Sequence, residues 1–218
     1  YSSNVSVYGL LYNYYAVTNS AGLCPTGWEV PSDEEWQTLE ISQGMSASDA
    51  AQSNWRGAGQ NVGGKLKNTG TTYWNSPNSG ATNSSGFTAN GAGRRYDTGS
   101  TGNFKNNSFF WTRSSYTLNN GWSRYMAMDN TGIKRVTYDK NYGFSVRCLL
   151  EAEGCTDDGA CNYDASASSD DGSCTYATTW YADADGDGLG DAADSQSSCT
   201  QPTGYVADSS DNCDDPDA

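Results

Sequence analysis

Residues 151–218 contain no lysine, arginine or histidine, yet they carry 17 of the 26 acidic groups of this 218-residue chain. All 12 basic residues lie in 1–150, where nine acids leave a net charge of +3 against −17 for the remainder. Carboxylates crowded into a folded segment repel one another strongly once water is partly excluded. The segment holds no internal counter-charge, so a folded form of it requires a cation from solution. Calcium suits the demand, because it is a hard ion that takes six to eight oxygen ligands.

One stretch locates the demand. Asp183-Ala184-Asp185-Gly186-Asp187-Gly188-Leu189-Gly190-Asp191-Ala192-Ala193-Asp194 places carboxylates at positions 1, 3, 5, 9 and 12 of a calcium loop, with glycine at the turn position 6. Leu189 offers its carbonyl at position 7, and Asp194 stands where a bidentate Glu is usual. No amphipathic helix flanks the loop, so it reads as an isolated calcium loop of the dockerin or thrombospondin type 3 kind rather than an EF-hand. Asp157, Asp164, Asp171, Asp208, Asp211 and Asp214 are further candidate ligands. A solvated acidic linker is the plain alternative.

Charge and composition both change near Glu151, which divides the chain into a domain over 1–150 and two small modules over 151–178 and 179–218. The first part carries recurring aromatic and β-branched residues and can bury a core. In the second the largest apolar cluster is Trp180-Tyr181, so its order rests on disulfides and metal. Seven cysteines indicate an oxidising compartment. The absence of histidine removes Ser-His-Asp and Cys-His nucleophilic sites and His-ligated zinc. The acidity argues against nucleic acid, and no apolar run is long enough to span a bilayer. The abrupt start at Tyr1 and the acidic stop at Asp217-Ala218 read as a piece of a longer protein.

Within 1–150 the local signals describe an α+β domain. Ser32 as N-cap with Glu35 three residues on is a capping box, opening a helix over Pro31–Glu40 that Gly44 can end. A second helix is expected from Ser48 to about Trp55. The segment 73–107, rich in Gly, Ser, Asn and Thr, reads as irregular surface structure. A hairpin pairs Trp122–Met128 with Ile133–Tyr138 around Asp129-Asn130-Thr131-Gly132, and a final strand runs over Gly143–Cys148.

Three phrases occur in order: Tyr8-Gly9-Leu10-Leu11-Tyr12-Asn13-Tyr14, Cys24-Pro25-Thr26-Gly27-Trp28-Glu29-Val30-Pro31-Ser32-Asp33-Glu34-Glu35-Trp36, and Gly143-Phe144-Ser145-Val146-Arg147-Cys148. With Gly64-Lys65-Leu66-Lys67 and Ser85-Gly86-Phe87-Thr88-Ala89 between them, residues 5–150 resemble the Fibrobacter succinogenes major paralogous domain of bacterial surface and secreted proteins. The resemblance implies a C-type lectin-like fold with few helices, short strands and long loops, and a disulfide between Cys24 and Cys148. It also implies an extracellular or cell-surface location. The Glu-Pro-Asn, Gln-Pro-Asp and Trp-Asn-Asp signatures of calcium-dependent sugar binders are missing from 1–150. The formylglycine-generating enzymes share the fold but use a cysteine pair, and Cys24 has no companion within 1–147.

Residues 154–174 resemble an acidic cysteine-bearing repeat of adhesin stalks, with Asp-Asp-Gly-x-Cys at 157–161 and again at 170–174. Trp180 to Cys213 is similar to thrombospondin type 3 repeats, which implies a Cys199–Cys213 disulfide. Cys155, Cys161 and Cys174 then compete for one bond, with Cys161–Cys174 preferred. Proteins of the lectin-like fold bind through their second half. Aromatics there interleave with polar groups suited to a glycan or peptide on another surface: Trp111, Arg113, Tyr116, Trp122, Arg124, Tyr125, Asp129, Arg135 and Tyr138. The same rings can instead fill the core. The expected function is non-catalytic adhesion on a calcium-stiffened stalk, against a purely structural spacer and, less favoured, a carboxylate-based glycosidase.

Overall fold

The computed structural model describes residues 2–210. The chain divides into two compact units, Tyr1–Leu150 and Glu151–Ala218. Both are built from short elements, and helix is the minor component.

The first unit runs through helix α1 (Ser2–Tyr8), the single turn α2 (Tyr14–Val17) and strand β1 (Trp28–Glu29) to the longest helix, α3 (Asp33–Ser42). The capping box is formed: Glu35 N donates to Ser32 Oγ at 3.1 Å, and Ser32 N donates to Glu35 Oε2 at 2.6 Å. Gly44 ends the helix at φ +102°, a conformation that glycine adopts without strain. The expected second helix is cut to one turn, α4 (Ala47–Ala50). Asn54 takes a left-handed φ of 72°, which no helix continues through, and Trp55 enters strand β2 (Asn54–Arg56) instead.

After α5 (Val62–Leu66) a long polar segment holds only the two-residue strands β3 (Arg94–Arg95) and β4 (Thr101–Gly102). Glycine is obligatory inside α5, because a side chain at Gly63 would strike the Gly132 carbonyl and one at Gly64 the Gly80 carbonyl. Strands β5 (Asn107–Ser115), β6 (Asn120–Ala127) and β7 (Ile133–Asp139) then pair with β2 into an antiparallel sheet of order β2-β7-β6-β5. The β6–β7 hairpin is the one its turn residues predict. The expected final strand is not formed as a strand. Residues 143–148 make isolated bridges, Phe144 to Tyr12 and Ser145 to Phe110, before β8 (Leu149–Leu150) pairs with β1. The Cys24–Cys148 disulfide is present, spanning 124 residues with Cα atoms 5.9 Å apart.

Strand alternation gives the four-stranded sheet two covered faces. Phe110, Met126 and Ile133 pack on one side with Trp36, Val62, Leu66 and Trp74. Phe109, Trp111 and Phe144 pack on the other with Tyr14, Val17 and Val30. Phe144 stacks on both Phe109 and Trp111, at 5.0 and 4.4 Å between ring centres.

The second unit has almost nothing apolar to bury. Strands β9 (Glu153–Gly154) and β10 (Ser169–Asp170) pair in parallel. Strands β11 (Thr178–Ala182), β12 (Asp191–Ser198) and β13 (Tyr205–Val206) form a sheet of order β12-β11-β13. Two disulfides tie the unit, Cys155–Cys174 and Cys161–Cys199. These replace the expected Cys161–Cys174 and Cys199–Cys213 pairs. Parallel pairing of β9 with β10 carries Cys155, just after β9, to the Cys174 end of the repeat, and Cys161 is left to meet Cys199 at the end of β12. Cys213 lies outside the described residues, as do the candidate ligands Asp211 and Asp214.

Candidate functional site

The acidic loop is the connection between β11 and β12. Asp183, Asp185 and Asp187 bring one carboxylate oxygen each to within 4.8 Å of one another. The loop backbone turns back on these side chains, which shapes the cluster. Gly186 N and Gly188 N donate to Asp183 Oδ1 and Oδ2 at 2.8 and 3.2 Å, Asp187 N to Asp185 Oδ1 at 3.2 Å, and Leu189 N to Asp187 Oδ1 at 2.8 Å. Gly186 and Gly188 both hold positive φ, at 81° and 91°. Each carboxylate oxygen has more than one acceptor direction, so a backbone bond leaves capacity for an ion. An all-oxygen, exposed donor set of this kind fits a hard divalent cation.

The other expected loop ligands stand elsewhere. Asp191 opens β12 opposite Ala182, and its carboxylate accepts from Ala193 N at 2.6 Å. Asp194 accepts from the Tyr205 hydroxyl at 3.3 Å. Leu189 is exposed within the loop, beside the cluster in sequence. Asp157, Asp164, Asp171 and Asp208 are separate, each answered by a local donor: the Tyr176 hydroxyl and Gly159 N, Ser166, Ser173 and Ser210 respectively. Those bonds hold all four carboxyls below the usual aspartate range.

The predicted binding face of the first unit is split by the sheet. Trp111, Tyr125 and Tyr138 point to the Phe109–Phe144 side. Trp111 is fully buried, with Nε1 donating to Tyr12 O at 3.0 Å, while Tyr125 stacks on Phe109 and Tyr138 packs edge-on against it. These three serve the core. Arg124 lies on the other face but is also fully buried. Its guanidinium donates to Glu40 Oε1 at 2.7 Å, Asp33 Oδ1 at 2.5 Å and Asp33 O at 3.0 Å. Arg56 binds Glu40 through both terminal nitrogens, and Arg135 forks onto Asp33. Asp129 sits in the β6–β7 turn, at the opposite end of β6 from Trp122.

This five-residue ionic network was not legible from the sequence, where Asp33 and Glu40 read only as helix residues. Burial raises the Asp33 carboxyl, but hydrogen bonds from Arg135 and the charge of Arg124 outweigh it and hold the group below its ordinary value. At Glu40 burial wins and the carboxyl is raised despite Arg124 and Arg56. Burial also brings Arg56 down to about 10.

What remains accessible is a smaller group at the β5–β6 end. Tyr116 is 57% exposed and meets Trp122 edge-on at 4.8 Å, while the Arg135 guanidinium lies 3.7 Å from the Trp122 ring centre. Arg113, in β5, is paired with Glu29 and Glu35. The cations here are already neutralised, so the surface offers ring faces rather than net charge.

A model of the Fibrobacter succinogenes major domain matches residues 2–149. No curated protein and no solved structure matches the chain. Among the described residues, no helix is long and apolar enough to cross a membrane.

Proposed function

The chain belongs to the Fibrobacter succinogenes major domain family, and on that premise we propose that it is a non-catalytic binding head of C-type lectin-like fold joined to a calcium-dependent acidic module at the cell surface. The observation that carries the proposal is the convergence of Asp183, Asp185 and Asp187 in a unit with no cation of its own. Calcium bound there would neutralise the loop and fix the β11–β12 connection. Asp183, Asp185 and Asp187 would hold it, with the Leu189 carbonyl within the same loop. Three disulfides accord with an oxidising, extracellular setting.

The Tyr116–Trp122 pair with Arg135 is the part of the head that supports recognition of a glycan or peptide. Ring faces backed by already paired arginines favour a neutral ligand. A glycosidase would need two carboxyls converging across a cleft. Among the described residues, Asp33 and Glu40 meet at Arg124 and are buried against arginines, while Glu29 and Glu35 both meet Arg113.

Calorimetric titration of calcium into the chelator-stripped chain tests the module. Binding is expected for the native sequence. It should weaken at least tenfold for Asp187→Ala, which removes a converging oxygen, and change little for Asp157→Ala, whose carboxylate answers Tyr176 and Gly159 instead. Equal effects of the two substitutions would refute the assignment to this loop.

A further inference from the structure

One cleft of the head shares no lining residue with the Tyr116–Trp122 surface. It encloses about 780 Å³ between α1 and the β3–β4 hairpin, with Tyr8, Leu10, Leu11, Arg95, Thr101 and Phe104 among its walls. Its α1 wall is tethered. Asn90 Nδ2 donates to Val7 O at 2.8 Å, and the Tyr8 ring packs on Phe104 at 4.8 Å and edge-on to Tyr73 at 6.1 Å. Phe104 is 45% exposed, so one side of its ring is open to the cleft.

Among the described residues, Arg95 is the single charged one in the lining. Its backbone is fixed by two hydrogen bonds with Gly143, at 2.9 and 2.8 Å. Its guanidinium passes close over Gly99, which sits at φ +92° and where an added Cβ would come within 3.2 Å of Nη2. The other arginines of the head are all engaged. Arg56, Arg113, Arg124 and Arg135 pair with acids. Arg94 is surrounded by the rings of Tyr96, Phe109, Tyr138 and Tyr142, and Arg147 donates to Phe87 O. Among the described residues, Arg95 alone has neither acid, carbonyl nor ring against its guanidinium. An exposed forked donor in the wall of a cleft that also presents the Tyr8 and Phe104 rings, with no acid among the described lining residues, is complementary to a carboxylate carried on a ring.

We propose that this cleft binds an acidic saccharide, a hexuronate unit whose carboxylate is taken by Arg95 and whose ring packs against Phe104 and Tyr8. The site shares no residue with the Trp122 surface or with the calcium loop. It differs from the former in selecting a charged ligand, because its cation is not already neutralised.

The test is titration of the full chain with trigalacturonate, with the methyl-esterified trisaccharide as the neutral counterpart and an acidic hexapeptide as a non-saccharide carboxylate. Trigalacturonate is expected to bind about 10-fold or more tightly than either, with affinity falling as salt is raised. Arg95→Gln should lose about 10-fold, and Phe104→Ala should weaken binding while both variants retain the native melting temperature. Trp122→Ala and calcium chelation should leave it unchanged, which separates failure here from failure of the surface and module described above. Absence of binding, equal binding by Arg95→Gln, or equal binding of the ester would overturn the proposal, and a preference for the hexapeptide would overturn the saccharide assignment.

Discussion

Single residues in the head are decided by partners far away in sequence. Asp33 is held by Arg124 and Arg135, which lie 91 and 102 positions downstream. Its depressed carboxyl adds stability that is complete above the ordinary value of 3.8 and is lost as pH falls through the lower folded value. Asp33→Asn should therefore flatten the acid limb of a stability–pH curve. It should also cost about 3 kcal/mol at neutral pH by leaving buried arginine charge uncompensated. Urea titrations across pH would show both effects, and an unchanged acid limb would contradict them. Lys67 makes a second case. Its ammonium, fully buried, donates to the carbonyls of Ser79, Ala127 and Asn130 at 2.8, 2.9 and 2.9 Å. Burial lowers its pKa to about 8. Lys67→Met should destabilise the head by about 3 kcal/mol or more, since three buried acceptors lose their donor together, and chemical denaturation measures it. Neither role is legible in a sequence, because Lys67 and Arg124 look there like any surface cation. In the sequence Arg124, Trp111 and Tyr125 suit a ligand face or the core alike, and only the pairing of β5 with β6 decides which face of the sheet they join.

Elements were legible where their signals are local. The α3 capping box involves residues three apart, and the β6–β7 hairpin is announced by its turn, so both stand where expected. Ser32→Ala should cost about 1 kcal/mol by freeing the Glu35 amide, a loss that thermal melting would register and Ser32→Asp would largely restore. Elements fixed by distant contacts were missed. Strand β5 lacks turn signals of its own and is defined by its partner β6. The expected helix after Ser48 gives way at Asn54, whose left-handed backbone starts β2 against β7. The tail disulfides illustrate the same limit, because repeat spacing says which cysteines are related but not which ones face each other. The Asp183–Asp187 cluster was legible because an alternating Asp loop with turn glycines folds on itself. Asp191 and Asp194 follow the loop spacing, yet they belong to β12.

For the whole molecule, the division of charge governs behaviour. In the head, Asp33, Glu40, Glu29 and Glu35 are matched by arginines, and the surplus is a modest +3. The second unit carries −17, and its described residues hold two disulfides and five strands, three of them in the sheet that bears the acidic turn. On the function proposed above, its order depends on a divalent cation in a way that the order of the head does not. Hydrogen exchange of the full chain, with calcium and with chelator, tests this most directly. At calcium 100 times its dissociation constant, amides across the β11–β12 connection should exchange about 100-fold more slowly, equivalent to about 2.7 kcal/mol, while those of the β5–β6–β7 sheet do not change. Identical exchange of residues 178–198 in calcium and in chelator would contradict the account.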